Sequence, residues 1–285
     1  MNLGRGTGRK KWALYTWGGA LAIAVSSGGC GIDKPELPTD QAIGVDGGGT
    51  TSDGGGPAGA GGQRLFVPAY IYPGAEWERI IAAAPTVGVV VANPSDGPGA
   101  VVDPLYAGVM ARAAQAGIAV LGYVATDYGA RSSADVIADI NGYYDLYKPA
   151  GIFLSEGPMQ ADCAALEATF LSYANAARAR DPQAFIALGT RFCPSYIYFT
   201  DVMILFARQQ AEYDAFQPAA WMPGNSPGRF AHLVSEVPGD ALEATVTRSR
   251  ALGAGWIYVT DDVLPNPWDR LPSYFDRLVR VVSGR

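Results

Sequence analysis

The sequence predicts an α/β fold, a TIM-like (β/α)8 barrel. Between residues 65 and 282, eight short apolar, β-prone runs alternate mostly with helical patterns, which implies a parallel sheet covered by helices. Eight such units suit a closed barrel in number and in length. No Gly-rich phosphate fingerprint follows the first run, where an open doubly wound sheet would often carry one, so that architecture is the runner-up.

The runs follow in order. Leu65–Tyr72 ends at Pro73-Gly74, and Trp77–Ala84 reads as a short helix. Val87–Ala92 is the second strand, Tyr106–Ala116 the next helix with Gly117 as its stop, and Ala119–Val124 the third strand. A helix capped by Ser132 or Ser133 runs to Tyr147. Gly151–Leu154 is strand four, followed by the Ala-rich helix Asp162–Arg180. Phe185–Leu188 and Val202–Phe206 are strands five and six, with a short helix around Gln209–Phe216. Phe230–Val234 and Trp256–Val259 complete the set, with helices over Ala241–Leu252 and Trp268–Val282.

In such a barrel, function gathers where the strands end at their C-termini. Those ends present Tyr72, Asn93, Thr126, Asp127, Tyr128, Ser155, Glu156, Gly189, Ala207, His232, Thr260, Asp261 and Asp262. The set is rich in aromatics, amides and carboxylates and poor in Lys and Arg, which suits a neutral or cationic sugar better than a phosphorylated ligand.

Composition narrows the partners. The net charge of −6 argues against nucleic acid. The single histidine, His232, excludes multi-histidine metal sites, and three cysteines without C-x-x-C spacing speak against zinc. No cofactor is expected.

The N-terminus reads as a targeting segment. Arg5, Arg9, Lys10 and Lys11 precede an apolar stretch, Trp12–Val25, of signal-peptide length, and Ser27-Gly28-Gly29-Cys30 follows. Residues 1–30 are therefore expected to be a signal peptide with a lipobox-like end, making Cys30 a lipidated N-terminus; an ordinary secretory signal is the alternative, since Ser27 stands where Leu is usual. Residues 31–63, rich in Gly, Asp, Thr and Ser, read as a flexible linker. Residues 64–285 form the barrel domain, expected to be monomeric. Export to an oxidising compartment leaves Cys163 and Cys193 either as a disulfide or as two buried thiols.

Several separated motifs resemble the spherulation-specific family 4 proteins. They are Val67-Pro68-Ala69-Tyr70-Ile71-Tyr72-Pro73-Gly74, Asn93-Pro94-Ser95-Asp96-Gly97-Pro98-Gly99, Gly122-Tyr123-Val124-Ala125-Thr126-Asp127-Tyr128-Gly129, Gly151-Ile152-Phe153-Leu154, and Tyr258-Val259-Thr260-Asp261-Asp262 with Asn266-Pro267-Trp268. The resemblance implies a TIM-like barrel and kinship with glycoside hydrolases that cut α-1,4-linked N-acetylgalactosamine or galactosamine polymers. It also exposes two departures. Active members typically end strand four in Asp-Glu and strand six in Phe-Glu; here the residues are Ser155-Glu156 and Phe206-Ala207.

Glycosidic cleavage usually needs an acid at the leaving oxygen and a second carboxylate as base, nucleophile or charge stabiliser. Glu156 is the candidate general acid, and Asp127 is a possible relocated carboxylate. Tyr72, Tyr123 and Tyr128 are candidates for stacking on sugar rings or for plugging the barrel mouth. Asn93 is a turn device with a possible amide contact. His232 is either a satisfied core histidine or a sugar contact, and Asp261 either faces the cleft or fastens the loop at Asn266-Pro267. The expected reading is an exported, glycoside-hydrolase-like envelope protein that acts on or binds amino-sugar polysaccharide, with its catalytic acids partly lost. A non-catalytic glycan-binding lipoprotein is the alternative.

Overall fold

The computed structural model describes residues 62–190 and 192–284. The targeting segment with Cys30, and the linker up to residue 61, lie outside the described residues.

Eight parallel strands close into a barrel in sequence order, β1 (Arg64–Ala69), β2 (Val87–Ala92), β3 (Ala119–Ala125), β4 (Gly151–Ser155), β5 (Phe185–Leu188), β6 (Val202–Gln209), β7 (Phe230–Ser235) and β8 (Trp256–Val259), with β8 pairing back onto β1. The helices are α1 (Ala75–Ala82), α2 (Pro104–Gln115), α3 (Ser133–Leu146), α4 (Cys163–Arg180), the short α5 (Gln210–Tyr213), α6 (Leu242–Ala251) and α7 (Phe275–Ser283). Between β5 and β6 the connection is a 3-10 turn, Pro194–Tyr198, rather than an α-helix.

The barrel interior is filled by aromatic rings. Phe66 on β1 meets Phe153 on β4 with centroids 6.1 Å apart, and Trp256 on β8 at 6.5 Å. Because β1 and β4 are not neighbours, their side chains can meet only across the inside of the barrel. The interior is thus a packed core rather than a channel, and in such barrels ligands bind at the C-terminal mouth.

Two glycines set the strands that carry the site. A side chain at Gly122 on β3 would fall 2.5 Å from the Tyr143 ring of α3, and one at Gly151 on β4 would fall 1.9 Å from the Phe185 carbonyl. Tyr143 uses this close approach to donate its hydroxyl to the Ala92 carbonyl on β2. Strands β2, β3 and the helix behind them are thereby locked together.

Several boundaries differ from the sequence reading, and those at β1, β6, β7 and the last helix have local reasons. β1 ends at Ala69, because the Tyr70 N–H turns away to the Trp268 carbonyl. β6 and β7 run further, to Gln209 and Ser235, since these two residues pair with each other. The last helix begins at Phe275 rather than Trp268: the preceding segment is held as a loop, where the Leu271 N–H donates to Glu76 and Ser273 is bound by Asp261.

Candidate active site at the β3–β4 corner

Glu156 is the first residue beyond β4, and it is held in the left-handed region at φ 56. Facing it across the β3 end, Asp127 and Tyr128 are left-handed as well, at φ 47 and 55. Such a conformation costs a non-glycine residue on the order of 1 kcal/mol or more, and it persists only where surrounding bonds over-determine it. Those bonds are present. The Tyr128 N–H donates to the Glu156 carbonyl at 2.8 Å, and the Asp127 N–H donates to Glu156 Oε2 at 3.2 Å. The buried Thr126 hydroxyl lies 2.9 Å from the Ser155 carbonyl and 2.7 Å from that of Glu156. Arg131 braces the corner from behind, donating to the Ala125 carbonyl at 2.6 Å and to Asp139 at 2.8 Å.

The environment shifts Glu156 towards its protonated form. Burial raises its pKa above the ordinary carboxyl value and the neighbouring Asp127 charge adds to this, while the Asp127 N–H and the Arg131 charge act the other way. Beneath it, Tyr70 and Tyr123 meet edge to face at 5.2 Å, and Tyr123 reaches Phe153 at 6.3 Å. Burial pushes both phenols well up, with the Glu156 charge contributing, so each stays a neutral hydroxyl. The nearby Ser155 side chain acts the other way on the Tyr123 phenol, lowering its pKa. The corner therefore combines a carboxyl whose pKa is raised by burial, an adjacent exposed carboxylate at Asp127 and an aromatic floor.

On the far side of the mouth, β6 brings no acid. Ala207 is exposed and pairs with Leu233, which pairs with Tyr258 on β8. Close by, Phe192, Leu205, Phe216, Gln217 and Ala219 line a hollow of ≈ 180 Å³.

The remaining candidates are dispersed. His232 is 0% exposed and lies away from the mouth, with its Nδ1 2.8 Å from the Tyr213 hydroxyl and its ring edge-on to Phe216. Burial, then the Arg248 charge, lowers its pKa to about 3, so the ring is neutral. The ring lies in the core with Nδ1 partnered by Tyr213, while its buried Nε2 has no hydrogen-bond partner among the described residues. Tyr72 leaves the mouth because β1 ends early; it is 60% exposed and donates to Asp103 at 3.1 Å. Asn93 accepts from the Gly97 N–H at 3.0 Å, a turn-forming role. Asp261 accepts from Ser273 and from Arg270 at 3.2 Å; these bonds outweigh its burial and hold its pKa below the usual range. It fastens the loop before α7. Among the described residues, no three His, Cys, Asp or Glu side chains cluster as metal ligands would.

Cys163 and Cys193 are joined in a disulfide. It ties the start of α4 to the segment after β5, next to the Gly157 N–H to Gly189 carbonyl bond at 2.9 Å and the Thr190 hydroxyl to Pro158 carbonyl bond at 3.0 Å. The loop that follows Glu156 is thus pinned on its outer side.

Sequence reasoning overlooked Tyr70, Arg131 and Glu236. The alternation Tyr70-Ile71-Tyr72 could have flagged Tyr70 as an inward partner of Tyr123. Glu236 repeats the Ser-Glu pattern of Ser155-Glu156: it follows β7 at φ 56, exposed, with its N–H on the Asp262 carbonyl. The early end assigned to β7 hid that match.

Comparison with known proteins agrees with this architecture. The model of the spherulation-specific family 4 matches residues 64–282. Spherulin-4 of Physarum polycephalum is 29% identical over 210 residues, covering 70% of this chain and 63% of its own length. Among solved structures, Aspergillus clavatus Sph3, determined in complex with GalNAc, superposes with a TM-score of 0.68 at 23% identity, covering 79% of this chain and 98% of that one. A chitinase from Bacteroides thetaiotaomicron matches at a TM-score of 0.50 and 9% identity, over 78% of this chain and 96% of its own, a likeness of fold alone.

Proposed function

The chain belongs to the spherulation-specific family 4, and from that premise we propose that it is a glycoside-hydrolase-like protein that engages amino-sugar polysaccharide at the barrel mouth, with Glu156 as proton donor and with hydrolysis attenuated by the residues at 155 and 207. The observation that carries this is the built corner around Glu156: strained backbone, the Asp127 N–H on its carboxyl and a pKa raised by burial. The GalNAc bound to the related Sph3 supports an amino sugar as ligand.

Attenuation follows from charge. An oxocarbenium- or oxazolinium-like transition state needs a carboxylate beside it, and neither Ser155 nor Ala207 supplies one. Loss of such a partner commonly costs several kcal/mol, or orders of magnitude in rate. Asp127 supports a second reading, in which the missing carboxylate is relocated to the end of β3. Its N–H already touches Glu156, so its backbone is close enough for the two acids to act on one sugar ring.

The N-terminal pattern supports export and anchoring through a lipidated Cys30, which would place the barrel in a bacterial envelope; a secreted form is the alternative. Globomycin-sensitive processing and labelling with a fatty-acid probe, lost in Cys30→Ala, would test the anchor. The enzymatic part is tested by incubating purified protein with α-1,4-linked galactosamine and N-acetylgalactosamine polymers. Binding with slow release of reducing ends, abolished by Glu156→Gln, is expected. Neither binding nor release would overturn the reading.

A further inference from the structure

We propose that a second glycan-contact surface, separate from the Glu156 mouth, lies in the groove between Tyr72 and the β2–α2 segment, and that it holds the distal part of an amino-sugar polymer whose reacting end sits at Glu156. The inference rests on the functional reading above and extends it to polymer length.

The groove has a volume of ≈ 590 Å³, and its lining includes Tyr72, Ser95, Val101, Asp103, Leu105 and Tyr147. Three of these are exposed apolar groups side by side in the same groove: Tyr72 at 60%, Val101 at 76% and Leu105 at 56%. Tyr72 is open to solvent yet held fixed. Its hydroxyl donates to Asp103 Oδ2 at 3.1 Å, and its ring meets Tyr106 edge to face at 5.7 Å. Tyr106 is itself buried and donates to the Ile71 carbonyl at 3.1 Å. Asp103 is fixed in turn as the cap of α2, accepting from the Leu105 N–H at 2.8 Å, while its own N–H donates to the Tyr147 hydroxyl at 3.0 Å. A rigid exposed aromatic ring flanked by hydroxyls and a carboxylate offers the mixed surface that a pyranose presents in complement, an apolar face edged by hydroxyl groups.

Charge selects among occupants. The lining carries the Asp103 carboxylate and no lysine or arginine, which suits an ammonium-bearing sugar and disfavours an anionic glycan or lipid headgroup. Position links the groove to the mouth. The β2–α2 segment starts at Asn93, where the Asn93–Gly97 and Ser95–Gly97 bonds set a tight turn. Asp96 in that turn is near enough to Tyr70 and Tyr123 for its charge to act on both. The same segment then supplies Val101 to Leu105 of the groove. One segment thus runs from the turn beside the Tyr70–Tyr123 floor to the groove at Tyr72, the path the proposal assigns to the polymer.

The test compares Glu156→Gln with Glu156→Gln/Tyr72→Ala, a background that keeps chain length constant during titration with α-1,4-linked galactosamine, from monosaccharide to long oligomers. Affinity for long oligomers is expected to fall about tenfold on removal of the ring, with monosaccharide affinity unchanged, and Tyr72→Phe on the same background should retain most of it. Identical length dependence in both proteins overturns the second surface alone. Absence of oligomer binding at any length, in the wild-type protein as well, overturns the functional reading and the groove with it. A concentration-dependent dimer seen by ultracentrifugation and dissolved by Tyr72→Ala, with sugar affinity unmoved, assigns the patch to a second copy of the chain and overturns the proposal.

Discussion

The main-chain N–H of Asp127 donates to Oε2 of Glu156 at 3.2 Å, while the Asp127 side chain carries its charge beside the same carboxyl. One residue thus acts on Glu156 in two opposed ways, its N–H favouring the ionised acid and its carboxylate favouring the protonated one.

That opposition can be separated by mutation. Asp127→Asn keeps the N–H and removes the charge, so the Glu156 pKa should fall. Any activity that needs protonated Glu156 is lost as pH rises through that pKa, so the basic limb of the pH–rate profile should move to lower pH in the variant. An unmoved limb would show that Asp127 exerts no field on the acid. If Asp127 is also the relocated second carboxylate, kcat falls by orders of magnitude at every pH, a loss that a simple shift of the profile would not produce.

Restoring acids gives the reverse experiment. Ser155→Asp combined with Ala207→Glu puts carboxylates at the ends of β4 and β6, on either side of the mouth. Reducing-end release from galactosamine polymers should rise by about two orders of magnitude or more. The two positions are half-buried and exposed, respectively, so the change carries little folding cost. No gain in rate would mean that attenuation has another cause.

His232 makes a prediction about stability instead. Its pKa is about 3 in the fold against 6.5 as the ordinary value. Below pH 6.5 the unfolded chain takes up a proton that the folded ring refuses, so the contribution is intact above that pH and declines as pH falls towards the folded value. The slope from this group is about 1.4 kcal/mol per pH unit. His232→Phe should flatten the fall in stability between those limits, read by urea unfolding at several pH values. It also strips the buried Tyr213 hydroxyl of its partner, an offset of about 1–3 kcal/mol at neutral pH. An unchanged acid slope would contradict the buried neutral ring.

The disulfide predicts a further effect. Cys163 and Cys193 are 30 residues apart, and closing such a loop contributes about 3–4 kcal/mol in the chain-entropy model. Cys163→Ser/Cys193→Ser should lower Tm by several degrees and weaken glycan binding, because the bond pins the loop after Glu156. Equal Tm in the oxidised and reduced proteins would contradict a closed bond.

The barrel was legible because each strand is a short apolar run and the helices between them are set off by caps, glycine stops and Ala-rich composition, signals that need no tertiary information. The ends were less so. Tyr72 seemed to close β1, yet the Tyr70 N–H finds a partner on Trp268, some two hundred residues away in the chain, and that bond ends the strand. Likewise, the sequence left Asp261 either facing the cleft or fastening a loop, and only the return of Arg270 and Ser273 to it, from nine and twelve residues on, fixes the second. Glu156 and Asp127 were visible as carboxylates at strand ends, but their mutual contact depends on left-handed backbone at Asp127, Tyr128 and Glu156, which no local preference of those residues announces. His232 was ambiguous because only the register of β6 with β7 brings Tyr213 and Phe216 round it.

The central claim is that Glu156 donates a proton to an amino-sugar polymer bound at this corner. It is tested most directly by measuring binding and reducing-end release together, on galactosamine polymer, for wild-type protein and Glu156→Gln. The account predicts equal binding by both and slow release by the wild type alone. Equal release by both proteins, or the absence of binding by the wild type, would contradict it.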